Sequence, residues 1–104
     1  MLYIIFQEDR PDAAELRAKL RPAHFEYLDA HEDILVLGGA MLADDGKTRT
    51  GSVLIINVDS RAAADRFSEN EPFRKGGLFK RVTVSHMRRG QWNPDAAPKT
   101  AEGN

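Results

Sequence analysis

The chain has no cysteine, a single tryptophan and few aromatics, 8% in all. Without cysteine there is no disulfide, no thiolate nucleophile and no sulfur-based metal site. The cytoplasm is then the default compartment. Long apolar runs are lacking as well. The first, residues 1–6, has no basic segment before it as a secretory leader would, and nothing approaches the ~18 residues of a membrane-spanning helix. Excess charge of one sign is also missing: 15 Lys and Arg against 16 Asp and Glu leave a net charge of −1. Neither nucleic acid nor an anionic membrane is called for as a partner. The basic residues Lys80, Arg81, Arg88 and Arg89 come without an aromatic stacking platform and read as a solvated strand end.

What is present fits one domain of 104 residues with 41% hydrophobic content. Residues 2–7, rich in β-branched and aromatic side chains and without Gly or Pro, read as a strand. A polar turn follows, in which Asp12 is placed to cap a helix with Glu15 at the capping-box offset. The helix runs over 13–20, is interrupted at Arg21-Pro22, and resumes over 23–32. Residues 34–42 form a second strand, where Gly38-Gly39 marks a bulge or a close approach to the backbone. Asp44-Asp45-Gly46-Lys47 is a hairpin signal, and 50–58 is the third strand. Ser60 caps a helix over 61–69. A break over 70–77 allows a single turn around Phe73-Arg74-Lys75, and 78–87 is the fourth strand. The order β-α-β-β-α-β is the ferredoxin-like α+β arrangement with a four-stranded antiparallel sheet.

Two helices cover one face of such a sheet. Yet both faces read apolar: Leu2, Ile4 and Phe6 alternate with Tyr3 and Ile5. A second copy, sheet against sheet, is the simplest cover, so a homodimer is expected; loops or the C-terminal tail are the alternative. The domain is expected over 1–90. Residues 91–104, rich in Pro, Ala, Gly and polar residues, read as a flexible tail anchored by Trp92.

The chemistry centres on Arg21-Pro22-Ala23-His24. Proline is tolerated at the first helical position, so a new helix starting at Pro22 would put His24 in its first turn. There the helix dipole disfavours an imidazolium, leaving a neutral proton acceptor. Glu71, beside Pro72, is its candidate partner. A carboxylate on one imidazole nitrogen fixes the tautomer and frees the other nitrogen for a substrate proton. Arg21 could clamp a substrate carboxylate or pair with an acid such as Glu71, and Ser52 could donate to a ligand or be a satisfied strand hydroxyl. A metal site is not expected. His24 and His31 lie seven residues apart, about 10.5 Å along a helix, too far for one ion.

Met1-Leu2-Tyr3-Ile4-Ile5, Arg21-Pro22-Ala23-His24, Gly38-Gly39, Gly51-Ser52, Pro72-Phe73 and Gly77-Leu78 together resemble the YCII-related domain, from residue 1 to about residue 90. The resemblance implies a dimeric α/β-barrel type of ferredoxin-like fold and a histidine–acid pair suspected of catalysis. Some members of the family act in dehalogenation of aromatic-ring breakdown products. The histidine falls on His24 and the acid on Glu71, where the family typically has Asp-Pro. The family also often has Gly-Pro where this chain has Gly39-Ala40. Two functions stay open. One is a small enzyme, without cofactor, in which His24 and Glu71 transfer protons on a small organic substrate in the manner of a lyase, isomerase or hydrolase. The other is a non-catalytic ligand-binding or assembly module in which the pair is structural.

Overall fold

A computed structural model describes residues 1–104. Strand β1 (Leu2–Asp9) leads into α1 (Ala14–Ala30), then β2 (Leu35–Leu42), β3 (Arg49–Asn57), α2 (Arg61–Glu69), a single-turn α3 (Pro72–Lys75) and β4 (Phe79–Met87). All neighbouring strands are antiparallel, in the order β2-β3-β1-β4. This is the ferredoxin-like α+β fold expected from the sequence, with strand ends shifted by a residue or two.

The helices pack on one face. Along β1, Tyr3, Ile5 and Gln7 are buried while Leu2, Ile4 and Phe6 are not. Register places Ile56, Leu54 and Ser52 of β3 beside those three. Tyr3, Ile5, Leu54 and Ile56 join Ala64 and Phe67 of α2 in one core cluster. Phe73, Leu78 and Phe79 form a second, against Leu16 and Leu20 of α1. Where the clusters meet, Leu54 and Phe73 line one cavity. The buried polar side chains Gln7, Arg17, His24, Ser52 and Glu71 gather around it.

The other face has no helix on it. Leu2, Ile4, Phe6, Val53, Ile55 and Leu37 occupy adjacent register positions there. Phe6 is 39% and Leu37 65% exposed. The C-terminal segment, with its short 3-10 turn at Pro94–Ala96, leaves these two exposed, while Leu2, Ile4, Val53 and Ile55 are half-buried. Trp92 is itself exposed, and its ring faces the Arg89 guanidinium.

Two local expectations change, and at a third position one of two alternatives holds. Pro22 does not divide the first helix; α1 is continuous from Ala14 to Ala30 with Pro22 inside it. The proline removes the hydrogen bond to the carbonyl of Ala18. Both residues are exposed, so water can take that bond. His24 therefore lies in mid-helix, and the dipole argument for its neutrality falls. Replacing Pro22 with Ala should restore the bond and raise unfolding stability by ~1–3 kcal/mol, measured in urea; a loss of stability would show that the proline shapes the helix usefully. Next, Asp12 does not cap. Its φ is +55°, whereas a capping residue is extended; Ala13 stands at the N-cap position without a side-chain bond. At Gly38-Gly39 only the bulge alternative drops out, since β2 shifts register between Leu35 and Leu37 and between Met41 and Leu42. Gly38 instead serves a close approach: a Cβ there would lie 2.8 Å from Leu54 Cδ2.

Other local readings hold. Ser60 is extended and accepts from the Ala63 amide at 3.1 Å. The hairpin from β2 to β3 turns at Gly46, φ +71°. Asp45 accepts from the Thr48 hydroxyl and from the Thr48 and Lys47 amides, which hold its carboxyl below the usual carboxylate range.

Candidate functional site

One stripe of α1 builds a wall of the cavity. Arg17, Arg21, His24, Phe25 and Leu28 recur at helical spacing and all line it. The strand wall comes from Gly38, Gly39, Ala40, Arg49, Ser52 and Leu54, and Phe73 of α3 closes the inner end. The cavity measures about 210 Å³.

Glu71 reaches His24 because of how α3 begins. A residue before proline is pushed to extended backbone, and Glu71 has φ −70°, ψ 128°. Pro72 then supplies a preset φ at the start of the turn. Glu71 thus becomes the N-cap residue, and its Oε2 accepts from the Arg74 amide at 3.2 Å. Its other oxygen, Oε1, accepts from Nδ1 of His24. The carboxylate is wholly buried, and His24 is 6% exposed. A carboxylate only accepts, so this bond puts the imidazole proton on Nδ1. Nε2 has no protein partner and is not sealed from solvent, which leaves it facing the cavity.

The imidazole is held flat as well as turned. Its ring stacks on Phe73 with centroids 3.8 Å apart and planes 9° from parallel. The Arg17 guanidinium lies 4.8 Å from the same ring's centroid. Arg17 Nε donates to Asp9 at 2.9 Å and Nη2 to the Gly51 carbonyl at 2.8 Å. This arginine thereby ties α1 to the ends of β1 and β3. Close by, burial pushes the Tyr27 hydroxyl above its ordinary value, helped by the Glu71 charge. Tyr27 stays a neutral donor, to the Phe67 carbonyl at 2.8 Å.

The structure brings together all four residues singled out in the sequence. His24 and Glu71 are bonded. Ser52 lines the cavity, and its oxygen accepts from Gln7 Nε2 at 2.9 Å, which leaves its own hydroxyl proton to give. Arg21 lines the cavity without an acidic partner; the Arg21–Glu71 pair allowed by the sequence is not formed, because Glu71 is spent on His24 and on the start of α3. His31 and His86 stand apart. His31 is bonded to the Tyr27 carbonyl and His86 stacks on Tyr3.

Sequence reading missed Arg17, Arg49, Gln7 and the stacking role of Phe73. The signal for Arg17 was there: Arg17, Arg21 and His24 fall at i, i+4 and i+7. Breaking the helix at Pro22 destroyed that phase. Gln7 is buried with its Oε1 unpartnered, and nothing in a strand of apolar residues marks it.

A small α+β domain whose helices and sheet close on a histidine–carboxylate pair at a cavity floor is thus defined by its own geometry. The chain belongs to the YCII-related domain family, whose model matches residues 1–88. It is 31% identical over 96 residues to Protein YciI of Escherichia coli, covering 86% of this chain and 98% of that protein. An uncharacterized protein of Haemophilus influenzae is 27% identical over the same length. Among solved structures, the 5-chloro-2-hydroxyhydroquinone dehydrochlorinase TftG of Burkholderia phenoliruptrix, in complex with 2,5-dihydroxybenzoquinone, superposes with a TM-score of 0.79 at 36% identity, covering 86% of this chain and 96% of that one. An antibiotic biosynthesis monooxygenase, 20% identical with a TM-score of 0.53 over 88% of this chain and all of that one, shares the fold.

Proposed function

We propose that this protein is a cofactor-independent enzyme of the cytoplasm that transfers a proton on a small organic substrate, with His24 as general base or acid and Glu71 as the residue that positions it. The reaction class is that of a lyase, isomerase or hydrolase. Elimination from a small oxygenated ring is the favoured form, by similarity to the dehydrochlorinase TftG. The observation that carries this reading is the imidazole itself: Nδ1 is tied to a buried carboxylate while Nε2 opens on a cavity. A base must lie within hydrogen-bond reach of the proton it moves, and here only Nε2 can serve. Arg21 and Ser52 supply contacts to the bound molecule. The test is turnover of 5-chloro-2-hydroxyhydroquinone, followed as chloride release, by the wild type and by His24→Asn. No turnover of this or related ring substrates by the wild type, or equal rates for both proteins, overturns the proposal.

The reading of a non-catalytic module draws on one observation, that Glu71 also caps α3. It predicts ligand binding without turnover.

The protein works as a homodimer through the face left bare by the helices. That face is an apolar sheet surface carrying Ile4, Phe6, Val53 and Ile55, a composition that marks an interface. Sedimentation should give the mass of two 11.6 kDa chains, and Phe6→Glu should give one. A monomeric wild type would refute the dimer.

A further inference from the structure

We infer that the substrate is a small organic anion, and that Arg21 and Arg49 receive its charged group at the throat of the His24 cavity. The inference rests on the proton-transfer reading of that cavity and adds the class of molecule it takes. It begins with the ledger of charge. Arg17 is matched by Asp9, and the Glu71 carboxylate lies behind His24, off the lining, bonded to Nδ1 and to the Arg74 amide. Two guanidinium groups then remain on the lining, those of Arg21 and Arg49, and no carboxylate lines the cavity at all. Neither arginine is within ion-pair distance of an acid. Arg49 gives one long hydrogen bond, 3.3 Å, to the Lys47 carbonyl, and its other donors stay free. Two like charges facing one small cavity are poorly balanced until an anion enters.

The same two arginines line a larger outer recess of about 700 Å³. They therefore stand at the junction of the two spaces. Around the recess are Arg10, Lys47 and Lys80, against Asp12 as the one acid that Arg17 does not hold. The whole chain carries a net charge of −1, so this concentration of positive charge is local rather than a property of the composition. A concave basic surface raises the local concentration of anions and speeds their arrival. The planar fork of arginine suits a carboxylate or an ionised ring oxygen.

Size and distance narrow the class further. A cavity of about 150 Å³ takes benzene, so about 210 Å³ takes one ring with a charged substituent. Arg21 and His24 are three residues apart on one helix, which sets their Cβ atoms about 5–6 Å apart. An anion on Arg21 thus holds the rest of a single-ring molecule against Nε2.

The full-length protein is titrated calorimetrically at neutral pH with benzoate, and in parallel with benzamide, its uncharged counterpart. Benzoate should bind at least about tenfold more tightly, the scale of one charge-assisted hydrogen-bonded contact. Its affinity should fall as salt is raised. Arg21→Gln and Arg49→Gln, both at solvent-reached positions, should each weaken benzoate about tenfold and leave benzamide unchanged. Equal binding of the two probes, no binding of benzoate, or benzoate binding indifferent to both substitutions overturns the inference. His24→Asn separates it from the catalytic reading. That variant should keep arginine-dependent benzoate binding, so an inactive enzyme that still prefers benzoate loses only its chemistry. An active enzyme that does not prefer benzoate loses only its anion.

Discussion

His24→Asn should lower turnover about a thousandfold, within the usual range for loss of a general acid–base group, while the melting temperature changes little. Asparagine is the informative replacement. Its amide can still donate toward Glu71, so the buried carboxylate keeps a partner, but it offers no nitrogen that can accept a proton. Both replacements lose the stacked ring, but alanine also leaves a wholly buried charge unpaired, which destabilises strongly. Initial rates of chloride release together with circular-dichroism melts decide the matter. Full activity in a folded Asn variant would remove His24 from the chemistry.

Glu71→Ala is expected to have the largest effect on stability, about 3 kcal/mol, since each buried donor left without an acceptor costs ~1–3 kcal/mol. One carboxylate is lost, but two donors are stranded: Nδ1 of His24 and the Arg74 amide. The loss of the cap adds to the same deficit rather than standing apart from it. Against a typical total of 5–15 kcal/mol, a small domain is brought near unfolding. Glu71→Gln separates structure from function. Its carbonyl can still accept from Arg74, and its amide then presents N–H groups to Nδ1. Nδ1 must become the acceptor, and the imidazole proton moves to Nε2. The protein should melt within a few degrees of the wild type, yet lose general-base activity as fully as the His24 variant. Nitrogen chemical shifts of the ring report which nitrogen carries the proton. An active Glu71→Gln enzyme with an unchanged tautomer would refute the role assigned to Glu71.

The fold was legible because its signals are local. β-Branched runs, the Ser60 cap, the turn at Gly46 and the single turn around Phe73-Arg74-Lys75 each act within a few residues. The histidine–acid pair was legible from the motif and from the resemblance. The path through Pro22 was not, since the cost of an interior proline depends on whether the freed Ala18 carbonyl meets water, and only packing decides that. Arg17 and Gln7 were illegible for a related reason. Polar residues read as surface until distant partners, here Asp9, the Gly51 carbonyl and Ser52, make burial tolerable.

Glu71, Phe73 and Arg17 each serve two masters. Glu71 orients an imidazole and starts a helix; Phe73 lies under that imidazole and anchors a core; Arg17 joins three elements and rests on Phe73. Phe25 and Arg49, by contrast, sit at the exposed rim with little else to hold. Divergence among proteins of this architecture is accordingly channelled: the floor resists change because any variant there damages folding and chemistry together, while the rim is free to drift toward new ligands.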